Sequence, residues 1–202
     1  MTEMYHPFIV GEKLYLRGIE KEDLSRNMFQ WPNDSEVTHY MVLGAIPNSG
    51  SIYCSWNTLE EEYEKLRKSE KDIVFAIVDK ESDNVIGIVG LYDISWIPRH
   101  AELRIVIGEK DFWGNGYGTE AIKLVVNYAF DKLNLGKVYL GVNAEHKRAI
   151  KAYKNAGFIE EGILRKEQYR NSKYYDAVRM SILREEFYAT RENDEGKKGN
   201  GI

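Results

Sequence analysis

AELRIVIGEKDFWGNGYGTEAIKLVVNYAF, residues 101–130, is the stretch on which the fold turns. Its first seven residues alternate, with Leu103, Ile105 and Ile107 on one face of a strand and Glu102, Arg104 and Val106 on the other. Gly114, Gly116 and Gly118 follow at alternate positions, and then Ile122, Val125, Val126, Ala129 and Leu133 recur at the spacing of one helix face. Strand, glycine loop and amphipathic helix run consecutively, and VYLGV, residues 138–142, supplies the next strand. Glycines placed between a strand and a helix let backbone N–H groups converge on an anion, because no Cβ intervenes and the helix adds its positive end. A phosphate or pyrophosphate suits such a loop; the other reading is a tight turn that needs glycine for packing alone. Thr119 follows Gly118 with no GK[ST], and the spacing is GxGxG where a dinucleotide fingerprint needs GxGxxG. The ligand is expected to be a different phosphate carrier.

Upstream, KLYLR (13–17) alternates as a half-buried strand does, and Leu24, Met28 and Trp31 mark one short helix over 21–31, closed by Pro32-Asn33-Asp34-Ser35. GAIPNSGS (44–51) reads as a loop. Thr58 and Glu61 form a capping box ahead of a second helix bearing Leu59, Tyr63 and Leu66. DIVFAIVD (72–79) and VIGIVGLYDI (85–94) flank the turn-rich KESDN and predict an antiparallel hairpin, with 101–107 as the third strand in series. Downstream, Lys147–Ala156 reads as a helix ended by Gly157, and strands over 159–169 and 174–183 flank the turn Arg170-Asn171-Ser172-Lys173. The tail RENDEGKKGNGI is almost devoid of apolar residues and is expected to be disordered. The expectation is a single α+β domain over residues 1–188, its sheet antiparallel first and gaining a strand-helix-strand unit later, followed by a tail over 189–202.

With 202 residues, 43% hydrophobic and 30% charged, the chain has the composition of a globular protein with a sizeable core. The lone Cys54 cannot form an internal disulfide, the first 25 residues show no apolar signal core, and no apolar run is long enough to span a membrane. A cytoplasmic protein without a membrane partner is expected. The net charge of −4 argues against a nucleic-acid binder. Residues 1–70 hold 7 Lys+Arg against 12 Asp+Glu, whereas residues 71–202 hold 21 against 20. Glu60, Glu61, Glu62 and Glu64 are either a solvated helix face or part of a wall that attracts a cation. His6, His39, His100 and His146 show no metal-ligand spacing, so no metal is expected.

Three continuous segments together, 101–130, YLGVNAEHKRAIKAYKNAGF (139–158) and EGILRKEQYRNSKYYDAVRMSIL (161–183), resemble the GNAT superfamily of acetyl-CoA-dependent N-acetyltransferases. The resemblance covers roughly residues 12–187 and is strongest to the branch of ribosomal-protein N-terminal, spermidine and amino-sugar acetyltransferases. It implies the GNAT fold, a mixed, mostly antiparallel sheet splayed at the acetyl-CoA site and flanked by helices. It also implies transfer of acetyl from acetyl-CoA to a primary amine by direct attack in a ternary complex. A non-catalytic CoA-binding interaction domain is the alternative. Acceptors left open are a protein N-terminus or other peptide amine, a polyamine and an amino sugar; a homodimer is also open.

The family's [QR]xxGx[GA] motif corresponds to Trp113–Gly118, with Gly116 and Gly118 matching and Trp113 in the slot usually held by Gln or Arg. The resemblance implies that Trp113, Gly114, Asn115, Gly116, Tyr117, Gly118 and Thr119 surround the CoA pyrophosphate, and that backbone at Ile105, Val106 and Ile107 meets the pantetheine arm and thioester. Tyr153 occupies the family's tyrosine position, where a phenol beside the CoA sulfur acts as general acid; spacing alone, with Ile150 three residues earlier, reads as a core tyrosine. Glu102, opposite the apolar face of its strand, is either the base for the acceptor amine or the partner of Arg104 in a surface ion pair. The branch commonly has an Asn that touches CoA three residues before the small residue opening the last helix. His146 holds that slot here, and Asn143 lies three residues earlier.

Overall fold

The computed structural model describes residues 6–41, 55–170 and 172–189. The loop expected over 44–51, Cys54 and the polar tail lie outside the described residues. The elements are β1 (Ile9–Val10), β2 (Leu14–Gly18), α1 (Lys21–Asp23), α2 (Trp56–Lys68), β3 (Ile73–Asp79), β4 (Val85–Ser95), β5 (His100–Ile107), α3 (Tyr117–Asp131), β6 (Lys137–Asn143), α4 (Lys147–Asn155), β7 (Ile159–Arg170) and β8 (Lys173–Leu183). The strands form one sheet in the order β1-β2-β3-β4-β5-β6-β8-β7. Every neighbouring pair is antiparallel except β5 and β6, the strands joined through α3. The mixed α+β sheet read from the pattern is thus the one observed. Among the described residues no helix is long and apolar enough to cross a membrane.

Helix α3 buries Ala121, Ile122, Val125, Val126, Ala129 and Phe130 against one face of the sheet, on Leu16, Ile77, Leu91, Leu103 and Leu140, with Ile150 and Tyr153 of α4 in the same core. The other face is covered from the N-terminal side by Leu24, Met28 and Trp31, which meet Tyr15, Ala76, Val78 and Val85.

Two local expectations are corrected. The helix predicted over 21–31 is broken: α1 is three residues, a π turn follows over Leu24–Met28, and a 3-10 turn spans Trp31–Asn33. Pro32, inside the 3-10 turn, lacks the N–H that an α-helix continuing past Met28 would donate to the Met28 carbonyl. In addition, α2 begins at Trp56, capped by Ser55, whose hydroxyl accepts the Thr58 N–H at 3.2 Å; the box read at Thr58 and Glu61 lies inside the helix. A hydroxyl three residues earlier satisfies the first free amides and moves the start forward.

The N-terminal layer is pinned by a buried ion pair. Arg17 Nη1 and Nη2 donate to the two carboxylate oxygens of Asp23 at 2.7 and 2.8 Å, and the Glu20 N–H donates to the same carboxylate at 2.9 Å. Arg17 and Asp23 are 5% and 3% exposed, so removing one partner leaves a charge out of water. Asp23→Ala is expected to destabilise the fold by about 3 kcal/mol, a drop in melting temperature of roughly 6–12 °C in a thermal scan. A loss under about 1 kcal/mol would mean that the pair does not hold the layer.

Candidate active site

The site begins where the parallel pair comes apart. β5 and β6 pair only at His100–Lys137, Ala101–Val138 and Glu102–Tyr139. Beyond Glu102, β5 stays with β4 as far as Ile107 opposite Gly87, whereas β6 stays with β8 as far as Asn143 opposite Ala177. Each arm is held by its outer neighbour, so the two cannot close, and the inner edges over 103–107 and 140–143 are left without a strand partner. Unpaired strand edges offer amide and carbonyl groups to an extended ligand.

The glycine loop lies at the open end of this fork, because the chain leaving β5 must turn there to enter α3. Gly114 and Gly116 have φ of +81° and +89°, a backbone that side-chain-bearing residues rarely adopt. Gly116 is the N-cap of α3 and gives no side-chain cap, so the first amides of the helix are left for a ligand. Side chains around the loop are already spoken for. The Trp113 indole N–H donates to the Ile107 carbonyl at 2.8 Å, Asn115 Nδ2 to the Asp111 carbonyl at 3.1 Å, and the Tyr117 hydroxyl to Asp79 at 2.8 Å. Gly118 and Thr119 lie in the first turn of α3. What the loop presents is backbone.

Two cations flank it. Lys13 Nζ donates to the Asn115 carbonyl at 3.0 Å, and the Arg148 guanidinium lies 4.1 Å from the centre of the Trp113 ring. Neither is ion-paired to a carboxylate among the described residues. Sequence reasoning missed both. Lys13 carries no local signal, being 102 residues from Asn115. Arg148 did carry one: Lys147 and Arg148 occupy the first turn of α4 with no acidic residue there, against the helix dipole, an arrangement that an anion would relieve.

Tyr153 is fixed by the end of α4. The Phe158 N–H bonds to the Tyr153 carbonyl and the Gly157 N–H to that of Lys154, both at 3.0 Å, with Gly157 at φ +99°. This is the Schellman arrangement, and its usual apolar contact is the pair of rings Tyr153 and Phe158, 5.9 Å apart. Tyr153 is 8% exposed, and its hydroxyl has no hydrogen-bond partner among the described residues. Burial, with the negative charge of Glu102, pushes the phenol up to about 12, so it keeps its proton at any working pH. Glu102 is the last residue of β5 paired to β6, at the vertex of the fork. Its Oε2 accepts from Arg104 Nε at 3.0 Å and Nη2 at 2.5 Å, so the expected ion pair is present, while Oε1 has no partner among the described residues.

Asn143 and His146 are held by the protein itself. Asn143 donates to Gln168 and accepts from the Glu145 N–H, each at 2.9 Å. His146 is the N-cap of α4, its ring stacked 4.2 Å from that of Tyr40. Arg170 at the end of β7 donates to the carbonyls of Thr38, His39 and Met41, which seats the Tyr40 turn beside α4. The acidic face of α2 is largely neutralised by Lys21–Glu60, Lys65–Glu62 and Arg67–Glu64 pairs, as a solvated helix face would be.

A forked sheet with free backbone amides at its mouth and a buried phenol at its side suits an extended ligand that carries phosphate. An acetyltransferase (GNAT) domain model matches residues 13–159. Over 178 residues the chain is 33% identical to a spermidine N(1)-acetyltransferase of Vibrio cholerae, covering 88% of this chain and 97% of that one. It is 33% identical over 174 residues to the spermidine N(1)-acetyltransferase of Escherichia coli K12, covering 86% and 88%. A putative ribosomal N-acetyltransferase of Bacillus subtilis is 27% identical over 188 residues, covering 88% of this chain and 95% of that one. The crystal structure of the Vibrio cholerae spermidine N-acetyltransferase with CoA and spermine superposes with a TM-score of 0.77 at 33% identity, covering 88% of this chain and 99% of that one. The chain belongs to the GNAT acetyltransferase family. It is an acetyl-CoA-dependent N-acetyltransferase, and nothing in these likenesses favours a non-catalytic module.

Burial, then the charges of Arg148 and His39, hold the His146 imidazole down to about 4, against about 6.5 in an unfolded chain. Above pH 6.5 it is neutral in both states and contributes no pH dependence. Below that value the unfolded chain takes up a proton that the folded one refuses, so stability falls as pH drops from about 6.5 toward 4. His146→Asn is expected to flatten that limb in melting curves; an unchanged slope would place its cause elsewhere.

Proposed function

We propose that the enzyme acetylates a polyamine of the spermidine class on a primary amine, by direct attack on the acetyl thioester. The observation that supports the chemistry is the fork itself, with the anion-binding start of α3 at its open end and Glu102 the last residue paired at its vertex. The acceptor class is supported by the identity to spermidine acetyltransferases along nearly the whole chain, and by the crystal structure of one of them with CoA and spermine.

The residues suit the substrates. Amides at the start of α3 and the cations Lys13 and Arg148 bind the phosphates of acetyl-CoA. The N–H groups of Ile105 and Ile107 face the fork, where they line up the pantetheine arm and stabilise charge on the carbonyl oxygen, whereas that of Val106 is turned to Ile88 of β4. Glu102, directly or through a water, takes the proton of the incoming ammonium. The freed amine attacks the thioester carbonyl, Tyr153 gives its proton to the sulfur as the C–S bond breaks, and the second nitrogen proton, lost as the amide forms, restores the phenol through solvent. Residues 1–188 act as one domain, the location is the cytoplasm, and the proposed partners are the amine and a second copy of the chain.

A panel of spermidine, spermine, an N-terminal ribosomal peptide and a nucleotide-linked amino sugar, each with acetyl-CoA, tests the acceptor. Polyamines should give the highest kcat/KM by at least about tenfold. Preference for the peptide or the sugar would overturn the polyamine assignment. Tyr153→Phe keeps the ring and removes the hydroxyl, so CoA affinity should hold while kcat falls by about 10²-fold. Turnover equal to the parent's would reduce Tyr153 to a core tyrosine.

A further inference from the structure

Two arginine–carboxylate pairs in this structure are built differently. Between Arg17 and Asp23 the guanidinium takes both carboxylate oxygens, Nη1 on Oδ2 and Nη2 on Oδ1, the fork-to-fork arrangement that closes a pair on itself. Between Arg104 and Glu102 both donors, Nε at 3.0 Å and Nη2 at 2.5 Å, fall on the single oxygen Oε2. Oε1 has no partner among the described residues, and the Glu102 side chain keeps 24% of its surface exposed. One oxygen is held and the other is on offer.

The arginine is itself held by the neighbouring strand. Glu102 and Arg104 share a face of β5, and across the ladder Tyr92 stands opposite Glu102 and Gly90 opposite Arg104. No side chain of β4 therefore stands opposite the arginine, and its guanidinium lies 4.7 Å from the centre of the Tyr92 ring, with Nη2 3.3 Å from Asp93 Oδ2. Burial pushes the Tyr92 phenol up to about 12, so the guanidinium meets a neutral ring there. On the other side of β5, Tyr139 of β6 stands opposite Glu102, and Arg179 of β8 lies 5.1 Å from the centre of the Tyr139 ring. Neither bonds the Glu102 carboxylate, which leaves Arg104 as its holder among the described residues.

We propose that Arg104 is a positioning residue for the acetyl transfer: it grips Glu102 by Oε2 and so keeps Oε1 fixed and free for the acceptor amine. The inference rests on the reading of Glu102 as the base. In that reading the proton of the acceptor ammonium goes to Oε1, the electron pair left on nitrogen attacks the thioester carbon, and the carboxylic acid returns the proton to solvent. The grip removes rotamers in which Oε1 points elsewhere. The guanidinium also sets a positive charge beside the base, which opposes the ammonium form of the acceptor and favours the neutral amine that reacts. Arg104 thus acts on turnover and not on acceptor binding. Its side chain is 53% exposed, and an exposed pair adds little to stability, so the fold does not depend on it.

Steady-state kinetics on the full-length chain test this with four proteins: the parent, Arg104→Met, Glu102→Gln and the double variant. Acetyl-CoA is the donor, and the acceptor is the amine that turns over best in the panel above. Methionine keeps an unbranched stem and removes the guanidinium. Arg104→Met should lower kcat by about tenfold, with the KM of the amine unchanged or lower, CoA affinity held within about twofold and the melting temperature within a few degrees. In the Glu102→Gln background the same substitution should change kcat by less than about twofold, because a residue that acts through Glu102 has nothing left to act on. If Arg104→Met melts early, Arg104→Gln carries the same comparison. Full kcat in the arginine variant, an equal loss in both backgrounds, or a loss seen only as a raised KM for the amine would each overturn the proposal while leaving Glu102 as the base. Glu102→Gln turning over like the parent would overturn the base reading, and the proposal with it.

Discussion

The structure depends on one constraint: the parallel pair β5–β6 is joined for three residue pairs and then held apart by its outer neighbours. A parallel connection must cross over, and here the crossover is α3. The glycine loop and the N-terminus of α3 therefore sit at the C-terminal ends of the two strands, the same end at which the fork opens. The unpaired edge of β5 and the free amides ahead of α3 thus lie at one end of the sheet because the crossover puts them there.

Around that fork the charges divide by task. Lys13 and Arg148 stand at the mouth, where phosphates would be met, and Arg148 lies over the Trp113 ring. Trp113 holds the motif slot where a polar side chain is usual, yet its indole N–H ties the loop back to Ile107 and its ring seats a cation. The carboxylate of Glu102 stands at the vertex, and its charge adds to burial in making the Tyr153 phenol hard to ionise.

The sequence was most legible where periodicity and end signals agreed. The strand–loop–helix of residues 101–130 follows from alternation, glycines and a 3.6-residue repeat, and the Tyr153 position from a helix that Gly157 must end. It was silent where partners are distant in the chain: Lys13 on Asn115, Arg170 on the Thr38–Met41 turn, and His146 on Tyr40. The fork was implied by the family resemblance and not by any pattern, since a strand that loses a neighbour halfway looks like one that keeps it. The broken helix after Lys21 and the Ser55 cap were misread because Pro32 and an earlier hydroxyl outrank apolar spacing and a nominal capping box.

The central claim is that the open arms of the fork, with the loop at their mouth, receive acetyl-CoA. Hydrogen exchange read by mass spectrometry, with and without CoA, tests it most directly. The account predicts slowed exchange confined to peptides covering Leu103–Ile107 and Asn115–Glu120, the unpaired strand edge and the first turn of α3. Protection by CoA elsewhere, with these amides unchanged, would contradict it.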